Sequence, residues 1–471
     1  MSYPLIILGG GLSGLAAGIR YARFGNNVLI LEKHSKLGGL NSYYRRRGIL
    51  FETGLHAITN YAPPGVKHAP LNRLFRQLKL PRRRFITHEQ LTSEVFFAKH
   101  GTLTFSNDFS HFTDEIARLF PQSIDRFLSL VAAMDSFDPL TPRPWISARK
   151  QLNEALGDEL LIDYLFCPLM FYGSSQEYDM DFSQFVILFR SIFQEGFFRP
   201  EGSIKDFLAM LREHYHGYGG EIRLKSAVDR ILTTQSHGGK KIVGVRLRSG
   251  ETLHCDRLLS TIGWPETLAL LEDPVAEPKK ISELTGRLSF MESVYLLPQE
   301  MKKKLKQDRT IIFFNTADRF QYRRPVDEVD LESGVICFPD NFKDLEEKDT
   351  FQLRVTHIAN YDRWQEVAGS ADRNRYKEMK TALMRASGAV VGKIVGNFQE
   401  NIVYEDSFTP LTIERFTSRL QGAVYGSPHK IKDGRTDFEN LFLAGTDQGF
   451  LGIVGSMLSG VSMVNRHLLV P

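Results

Sequence analysis

Cysteine is scarce in this chain of 471 residues. Its three cysteines, Cys167, Cys255 and Cys337, stand far apart, and no C-x-x-C pair occurs. The spacing therefore indicates neither a redox dithiol nor a zinc site, and we expect no metal ion. The chain also has no internal repeat and no low-complexity tract, so the sequence does not predict a repeat architecture.

A strong charge of one sign is missing too. The formal net charge is +4 and the isoelectric point is about 8.7. Basic residues cluster in three triplets, at 45–47, 82–84 and 302–304. Neither aromatic interleaving nor a known nucleic-acid-binding fold accompanies them, so we expect no nucleic-acid partner. The triplets would suit anionic lipid headgroups, which predicts peripheral contact with an anionic membrane.

No signal peptide is recognisable, because residues 1–4 lead directly into an apolar strand pattern. Residues 441–465 are apolar, but Asp447 and five glycines make a membrane span a poor interpretation. We therefore expect a cytoplasmic protein that associates with membranes peripherally. With 42% apolar residues the chain can bury a large core, and its length suggests two or three domains. The sequence does not predict the oligomeric state.

Residues 4–32 constrain function most tightly, with the sequence PLIILGGGLSGLAAGIRYARFGNNVLILE. An apolar strand leads into a G-x-G-x-x-G turn, a helix pattern runs to Phe24, and a second strand ends at Glu32. This order of strand, glycine turn, helix, strand and acid is the context in which the motif indicates dinucleotide binding.

Each part of this motif has a physical role. Gly9 permits the tight turn, Gly11 lets a pyrophosphate approach the backbone, and Gly14 lets the helix pack close to the strand. The helix N-terminus offers free N–H groups and a partial positive charge to phosphates, and Glu32 would accept hydrogen bonds from a ribose diol. The cofactor-binding residues predicted in this segment are Gly9, Gly11, Leu12, Ser13, Gly14, Glu32 and Lys33.

The residues that follow indicate which dinucleotide is bound. A Gly-Gly pair, Gly38 and Gly39, follows the acid together with Leu40, and a second glycine turn comes at Gly54. A plain turn would explain the pair alone, but joined to the first motif it resembles FAD enzymes of the amine-oxidase and carotenoid-desaturase superfamily. In those families the adjacent glycines let the chain pass close to the cofactor, which implies FAD contacts at Gly38, Gly39 and Leu40.

A strand pattern near the C-terminus supplies the other half of this resemblance. It ends at Gly445 and Asp447 and is followed by Gly452-Ile453-Val454 and a helix pattern. Such a strand end can place Asp447 on the ribityl hydroxyls. The helix start can point its N–H groups at the flavin pyrimidine, where negative charge appears on reduction.

Two further passages narrow the family. Residues 408–417, FTPLTIERFT, and 422–426, GAVYG, are similar to the TPLT, ERFT and GAxYG stretch of the phytoene-desaturase and retinol-saturase branch. The Gly-x-His form that ends at His56 is closer to the retinol-saturase side. Residues 199–231 resemble the segment that re-enters the cofactor domain, where in relatives the residue at the Val228 position meets the adenine with its backbone.

The resemblance covers about half of the chain and implies an α/β fold in three parts. A discontinuous Rossmann-type FAD-binding domain would comprise residues 1–95, 200–285 and 405–471. A helical cap, which we also consider as a membrane-contacting region, would span 96–199, and a mixed-sheet substrate domain would span 286–404. Within the cap, Phe185–Phe193 is apolar around most of a helix. A buried core helix is the favoured interpretation, and a lipid-contacting tunnel entrance is the alternative.

The resemblance implies an FAD-dependent oxidoreductase that acts on carbon–carbon bonds of a hydrophobic isoprenoid or polyene, as a desaturase, saturase or isomerase. A flavin exchanges hydride at N5, so the protein mainly positions the substrate and excludes water. His56 is the first candidate for proton transfer or flavin contact, with a structural histidine as an equal alternative. Tyr425, Tyr172 and Glu414 are weaker candidates.

Two other functions stay open at this point. A flavin amine oxidase would share the fold, although no lysine maps onto the flavin-facing lysine of true amine oxidases. A non-catalytic FAD-binding or lipid-binding protein is the third hypothesis. The single G-x-G-x-x-G unit disfavours the disulfide-reductase class, because a bound NADPH normally needs a unit of its own.

Overall fold

The computed structural model describes residues 2–141, 143–237, 239–272, 278–306 and 308–469. In chain order, the strands of these ranges are β1 Ser2–Leu8, β2 Val28–Leu31, β3 Tyr43–Arg46, β4 Ile49–Glu52, β5 Ile58–Thr59, β6 Thr87–Glu89, β7 Thr92–Phe97, β8 Gly101–Phe105, β9 Phe197–Pro200, β10 Glu221–Arg223, β11 Val228–Ser236, β12 Gly239–Leu247, β13 Thr252–Ser260, β14 Ser289–Pro298, β15 Arg309–Asn315, β16 Ser333–Cys337, β17 Thr350–Ala359, β18 Tyr404–Phe408 and β19 Leu441–Leu443.

The α-helices of the same ranges are α1 Leu12–Ala22, α2 Pro70–Leu78, α3 Phe109–Leu119, α4 Ile124–Ser136, α5 Ala148–Leu156, α6 Glu159–Gly173, α7 Phe182–Phe189, α8 Ile204–Gly217, α9 Trp264–Leu270, α10 Pro278–Leu284, α11 Tyr361–Ala368, α12 Arg373–Val395, α13 Pro410–Thr417 and α14 Gly452–Met463. A π-helical turn, Arg190–Gln194, continues α7.

The first sheet has the predicted Rossmann arrangement at its centre. Its strand order is β10-β2-β1-β13-β12-β11, with β19 also paired to β13, and β10, β2, β1, β13 and β19 run parallel. Side chains of β1 alternate between two buried clusters, with Leu5 and Ile7 on one face and Ile6 and Leu8 on the other. Burial on both faces is what an uninterrupted apolar strand predicts. The α/β prediction is confirmed.

Helix α1 ends at Ala22, two residues before the predicted end, and Gly25 follows with a φ of +78°. Helix α14 crosses α1 closely, because a Cβ added to Gly460 would lie 2.2 Å from the Ser13 carbonyl oxygen. The C-terminal helix is therefore packed directly against the start of the helix that carries the glycine motif.

A second sheet of seven strands, in the order β18-β14-β17-β16-β15-β7-β8, is mixed, as predicted. Only β15 and β7 run parallel, and the other pairs are antiparallel. One face of the sheet, with Phe290 and Phe313, packs against α6 and α7 in an aromatic-rich core. The opposite face, with Ile312 and Val355, packs against α11 and α12.

The predicted cap region contains α3 to α7 and is largely helical. Phe185, Phe189 and Phe193 have no exposed surface and belong to the aromatic-rich core. The buried-core interpretation of this segment is confirmed, and its interpretation as a lipid-contacting entrance is wrong, because Phe189 and Phe193 pack on rings of α3, α4 and β8 and Phe185 packs on Phe166 of α6. Among the described helices, none is both long and apolar enough to cross a bilayer.

Two predicted domain boundaries fall inside strands of the second sheet. The boundary at residue 95 lies within β7, and the boundary at residue 405 lies within β18. Both strands pair with partners that are remote in sequence, so their membership in this sheet has no local signal. The division into three domains stays a prediction.

Candidate active site

A groove with a volume of about 340 Å³ opens at the carboxyl ends of the parallel strands β1 and β2. This is the edge where open α/β sheets bind ligands. Predicted cofactor-binding residues make up much of its wall, namely Gly9, Gly11, Leu12, Ser13, Glu32, Lys33, Gly38, Gly39, Leu40, Val228 and Gly445. The structure therefore brings predicted residues from distant parts of the sequence together around one groove.

The glycines of the motif occupy different surroundings. A Cβ added to Gly11 would have no atom within 4 Å, so this backbone faces open space in the groove. A Cβ added to Gly14 would lie 2.1 Å from the Gly9 carbonyl oxygen, so Gly14 is required for close packing of α1 on the turn. Gly9 itself has a φ of +100°, which disfavours other residues.

The carboxylate of Glu32 is held in place by the backbone. Its Oε2 accepts a hydrogen bond from Gly10 N at 2.8 Å, and its Oε1 accepts one from His34 N at 2.7 Å. The side chain borders the groove with acceptor capacity left over, since a carboxylate has about four lone-pair positions. This geometry would suit a ribose diol. The side chain of Lys33 donates to the Ser418 hydroxyl.

Five predicted cofactor residues do not form the groove wall, namely Gly14, Asp447, Gly452, Ile453 and Val454. Asp447 is buried, with Oδ2 accepting from Trp264 N at 2.6 Å and Oδ1 from Ser427 N at 2.9 Å. Its carboxylate thus orders the chain around the groove, and its contact with a ribityl hydroxyl stays a prediction. Gly452–Val454 begin helix α14, as predicted.

Sequence reasoning missed a polar cluster in the groove wall. Arg419 is buried and donates to the Thr446 hydroxyl, while its Nη1 lies 3.6 Å from Glu266 Oε2 without a hydrogen bond. Burial raises the pKa of the Glu266 carboxyl to about 7, although Arg419 acts to lower it. No sequence motif indicates these residues, because Arg419 and Glu266 are about 150 positions apart in sequence and meet only in the folded protein.

The polar atoms of the groove wall fit FAD. Ser13 Oγ, Arg419 Nη1 and Glu266 Oε2 are buried without a hydrogen-bond partner in the protein, and all three residues border the groove. Buried polar atoms without partners are rare in native proteins, so a polar ligand is expected there. The open backbone at Gly11 and the carboxylate of Glu32 supply the remaining contacts that a dinucleotide needs.

His56 lies in a buried ionic network beside the groove. Its Nε2 is 3.0 Å from Glu292 Oε2 on β14, and Glu292 Oε1 accepts from Arg354 Nε on β17 at 2.7 Å. Burial acts to raise the pKa of Glu292, but Arg354 and His56 outweigh it and hold that pKa below its usual value. The network fixes the ring of His56. A catalytic role for His56 stays a prediction.

Tyr172 and Tyr425 belong to an aromatic chamber, which we define by Phe171, Tyr172, Phe197, Phe290, Phe313 and Tyr425. The Tyr172 hydroxyl is buried and has no hydrogen-bond partner, whereas the Tyr425 hydroxyl donates to the Phe171 carbonyl oxygen. Burial raises the pKa of both phenols, so both stay protonated at neutral pH. Tyr172 is therefore the phenol that is free to bond a ligand.

The chamber and the groove adjoin each other. Phe290 and Glu292 are two residues apart on β14 and so lie on the same face of the sheet. A Cβ added to Gly54 would lie 2.6 Å from the carbonyl oxygen of Leu40, which borders the groove. A Cβ added to Gly173 would lie 3.1 Å from Leu451, the residue before α14. Segments that border the groove or lead into α14 therefore pack against residues next to the chamber.

Glu414 does not belong to this chamber. Its carboxylate accepts hydrogen bonds from the Tyr361 hydroxyl at 2.5 Å and from Gln421 N at 3.1 Å. These partners give Glu414 a structural role that connects α11 and α13. Across the described ranges, no group of three or more His, Cys, Asp or Glu side chains is arranged to hold a metal ion.

Comparisons with known proteins agree with this geometry. The family model described as flavin containing amine oxidoreductase matches residues 12–465. All-trans-retinol 13,14-reductase of Danio rerio is 22% identical over 98% of this chain and 86% of the relative. The 4,4'-diaponeurosporene oxygenase of Staphylococcus haemolyticus is 22% identical over 94% of this chain and 92% of the relative. A solved structure of a putrescine oxidase variant has the same fold, with a TM-score of 0.63 at 14% identity and 98% coverage of both chains.

Proposed function

This chain belongs to the flavin-containing amine oxidoreductase family and is an FAD-dependent oxidoreductase, and we propose that it adds hydrogen to, or removes it from, a carbon–carbon bond of a hydrophobic polyene. FAD supplies a hydride donor or acceptor when it is bound. The open backbone at Gly11 would receive the pyrophosphate and Glu32 the ribose. Ser13 and Arg419 would provide hydrogen bonds that the protein itself leaves unused.

The observation that carries this proposal is the aromatic chamber, a set of contacting rings beside segments that border the groove. A polyene needs apolar surroundings along its length, and burial of its surface at roughly 25 cal/mol per Å² would supply affinity. The two relatives named for action on retinol and on diaponeurosporene match this chain over nearly its whole length, which supports a substrate of the same class.

Under this proposal, residues in the chamber and beside it have different roles. The buried hydroxyl of Tyr172 would bond an oxygen-bearing end of the substrate, because it has no protein partner. The Glu292–Arg354 pair would hold the ring of His56 in one orientation beside the groove. The aromatic rings would exclude water from the reacting bond.

We also propose that the substrate is taken from an anionic membrane surface. Arg45, Arg46 and Arg47 are exposed at the turn between β3 and β4, and Lys303 and Lys304 are exposed as well. Arg82 is different, because its guanidinium is half-buried and bonded to the Ala62 carbonyl oxygen. The triplet 45–47, together with Lys303, Lys304 and Arg83, is therefore available to lipid headgroups, whereas Lys302 and Arg84 pair with Glu347 and Glu213.

Anaerobic mixing tests the proposed function. Oxidised and reduced holoenzyme would each be mixed with all-trans-retinol, 4,4'-diaponeurosporene and putrescine, while the absorption of flavin and polyene is followed. We expect the flavin and polyene spectra to change together, and no change with putrescine. Flavin reduction by putrescine, with no response to either polyene, would favour amine oxidation instead. FAD-free Gly11→Val protein is the control for changes that do not involve the cofactor.

A further inference from the structure

Lys430 is a buried lysine that has no role in the steps proposed above. Its Nζ donates a hydrogen bond to the Tyr425 carbonyl oxygen at 2.7 Å. Among the described residues, no carboxylate lies within ion-pair distance of this ammonium group. The side chain is enclosed by protein and yet keeps part of its accessible surface, so it borders an internal space.

The segment that carries Lys430 joins the groove to the aromatic chamber. On one side, Asp447 accepts from Ser427 N at 2.9 Å, and its carbonyl oxygen accepts from Ile431 N at 2.8 Å. A Cβ added to Gly449, two residues further on, would lie 3.8 Å from Lys430 Cβ. On the other side, the carbonyl group that holds Nζ belongs to Tyr425, a wall residue of the chamber. Asp447 directly follows Gly445 and Thr446 of the groove wall, so Lys430 lies between the chain that lines the groove and a wall residue of the chamber.

The surroundings of Lys430 make its proton available near neutral pH. Burial lowers the pKa of its amine to about 8, a nearby positive charge on Arg419 acts in the same direction, and Asp447 opposes them. A lysine in water has a pKa of about 10.4 and stays protonated at neutral pH, whereas a buried one can give up its proton or take it back under physiological conditions. Such a group has the properties of a general acid or base.

We propose that Lys430 Nζ exchanges the proton that accompanies hydride exchange between the polyene and FAD. This proposal rests on the proposed function. During saturation, the Lys430 ammonium would give its proton to one carbon of the double bond, while the other carbon would take up the hydride that bound reduced FAD supplies. The amine then regains a proton from water. During desaturation, C–H bonds on two adjacent carbons would break: the neutral amine of Lys430 would take the proton from one carbon, and bound oxidised FAD would accept the hydride from the other.

The test compares Lys430→Met with Lys432→Met in the holoenzyme. Lys432 is two residues away, is exposed, and pairs with Asp181 at 3.1 Å, so it is a matched control outside the site. The first readout is the absorption spectrum of bound FAD between pH 6 and pH 10, which does not depend on turnover. We expect a spectral transition near pH 8 in wild type and in Lys432→Met, and its loss in Lys430→Met.

The second readout is polyene turnover. We expect Lys430→Met to lose about 10²- to 10⁴-fold in kcat, the range that general acid–base catalysis contributes, while Lys432→Met stays at the wild-type rate. Full turnover in Lys430→Met with an unchanged pH profile would overturn the proposal. If wild type converts no polyene but keeps the spectral transition, the proposed function fails while the position of Lys430 beside FAD stands.

A second variant covers the case in which Lys430→Met does not fold or bind FAD. Lys430→Arg keeps the positive charge and the hydrogen bond to Tyr425 but does not lose its proton in this pH range. We expect Lys430→Arg to bind FAD, to lack the transition near pH 8 and to turn over slowly. A transition retained in Lys430→Arg would contradict the proposal, because another group would then be titrating.

Discussion

Gly11 and Gly14 both depend on the absence of a side chain, for opposite reasons. Gly11 has an ordinary φ of −74° and faces open space, so a side chain there would enter the groove without disturbing the fold. We expect Gly11→Val to abolish FAD binding and to leave the stability of the FAD-free protein unchanged. Gly217→Val, which also has space around it and lies on α8, is the control that keeps FAD. Fluorescence titration with FAD and thermal unfolding measure the two effects.

If Gly11→Val bound FAD as wild type does, the dinucleotide would lie elsewhere. Gly14→Ala should behave in the opposite way and destabilise the protein with or without FAD. Its added methyl group would lie 2.1 Å from the Gly9 carbonyl oxygen, which is backbone and cannot move aside easily.

Burial of Glu266 makes the stability of the folded protein depend on pH. The folded-state pKa is about 7, above the ordinary value of 4.5, so the folded protein binds the proton more tightly. Stability from this group is complete below pH 4.5 and is lost as pH rises through 7. We expect Glu266→Gln to match wild type at pH 4.5 and to exceed it at pH 8.5 by up to about 3 kcal/mol. Urea unfolding at both pH values checks this, and equal stability at pH 8.5 would contradict it.

At the scale of elements, the second sheet is tied to the loop that follows β4. Arg354 on β17 donates to the Leu55 carbonyl oxygen at 3.2 Å and to the Thr53 carbonyl oxygen at 3.1 Å, besides its pair with Glu292. We expect Arg354→Met to cost about 3–5 kcal/mol, because the buried carboxylate of Glu292 loses the guanidinium group that neutralises it and keeps its contact with His56. Chemical denaturation measures the loss.

The double variant Arg354→Met/Glu292→Leu separates charge from packing. It removes both buried charges, so we expect it to recover most of the lost stability. His56 would then lack its partner, and turnover should remain low. A double variant no more stable than Arg354→Met would show that the ion pair is not the source of the loss.

Some elements of the fold could be predicted from the sequence, and others could not. The β1–α1–β2 unit and the groove residues Gly9 to Glu32 have local patterns, so they were predictable. The pairing of β7 with β15 joins residues more than 200 apart, and the contact of His56 with Glu292 spans 236 positions. Local patterns carry no information on such pairs, which is why Glu292, Arg354, Arg419 and Lys430 were missed.

In the molecule as a whole, the first sheet carries the polar groove, and the second sheet contributes rings to the aromatic chamber. If the substrate comes from a membrane, the exposed basic triplets should attract the protein to anionic lipid. We expect the holoenzyme to float with anionic liposomes at low salt and to be released at high salt. Arg45→Glu/Arg46→Glu should weaken flotation more than Arg363→Glu, an exposed control on α11. Absence of flotation at low salt would contradict membrane contact.

The proposed function requires that FAD in the groove exchanges hydrogen with a polyene in the chamber. The most direct measurement mixes one equivalent of reduced or oxidised holoenzyme with polyene under anaerobic conditions and determines the product by mass spectrometry. We predict one product molecule, heavier or lighter by two hydrogens, for each FAD that changes oxidation state, and none with the FAD-free Gly11→Val protein. FAD that changes oxidation state with putrescine, while every polyene keeps its mass, would contradict the claim.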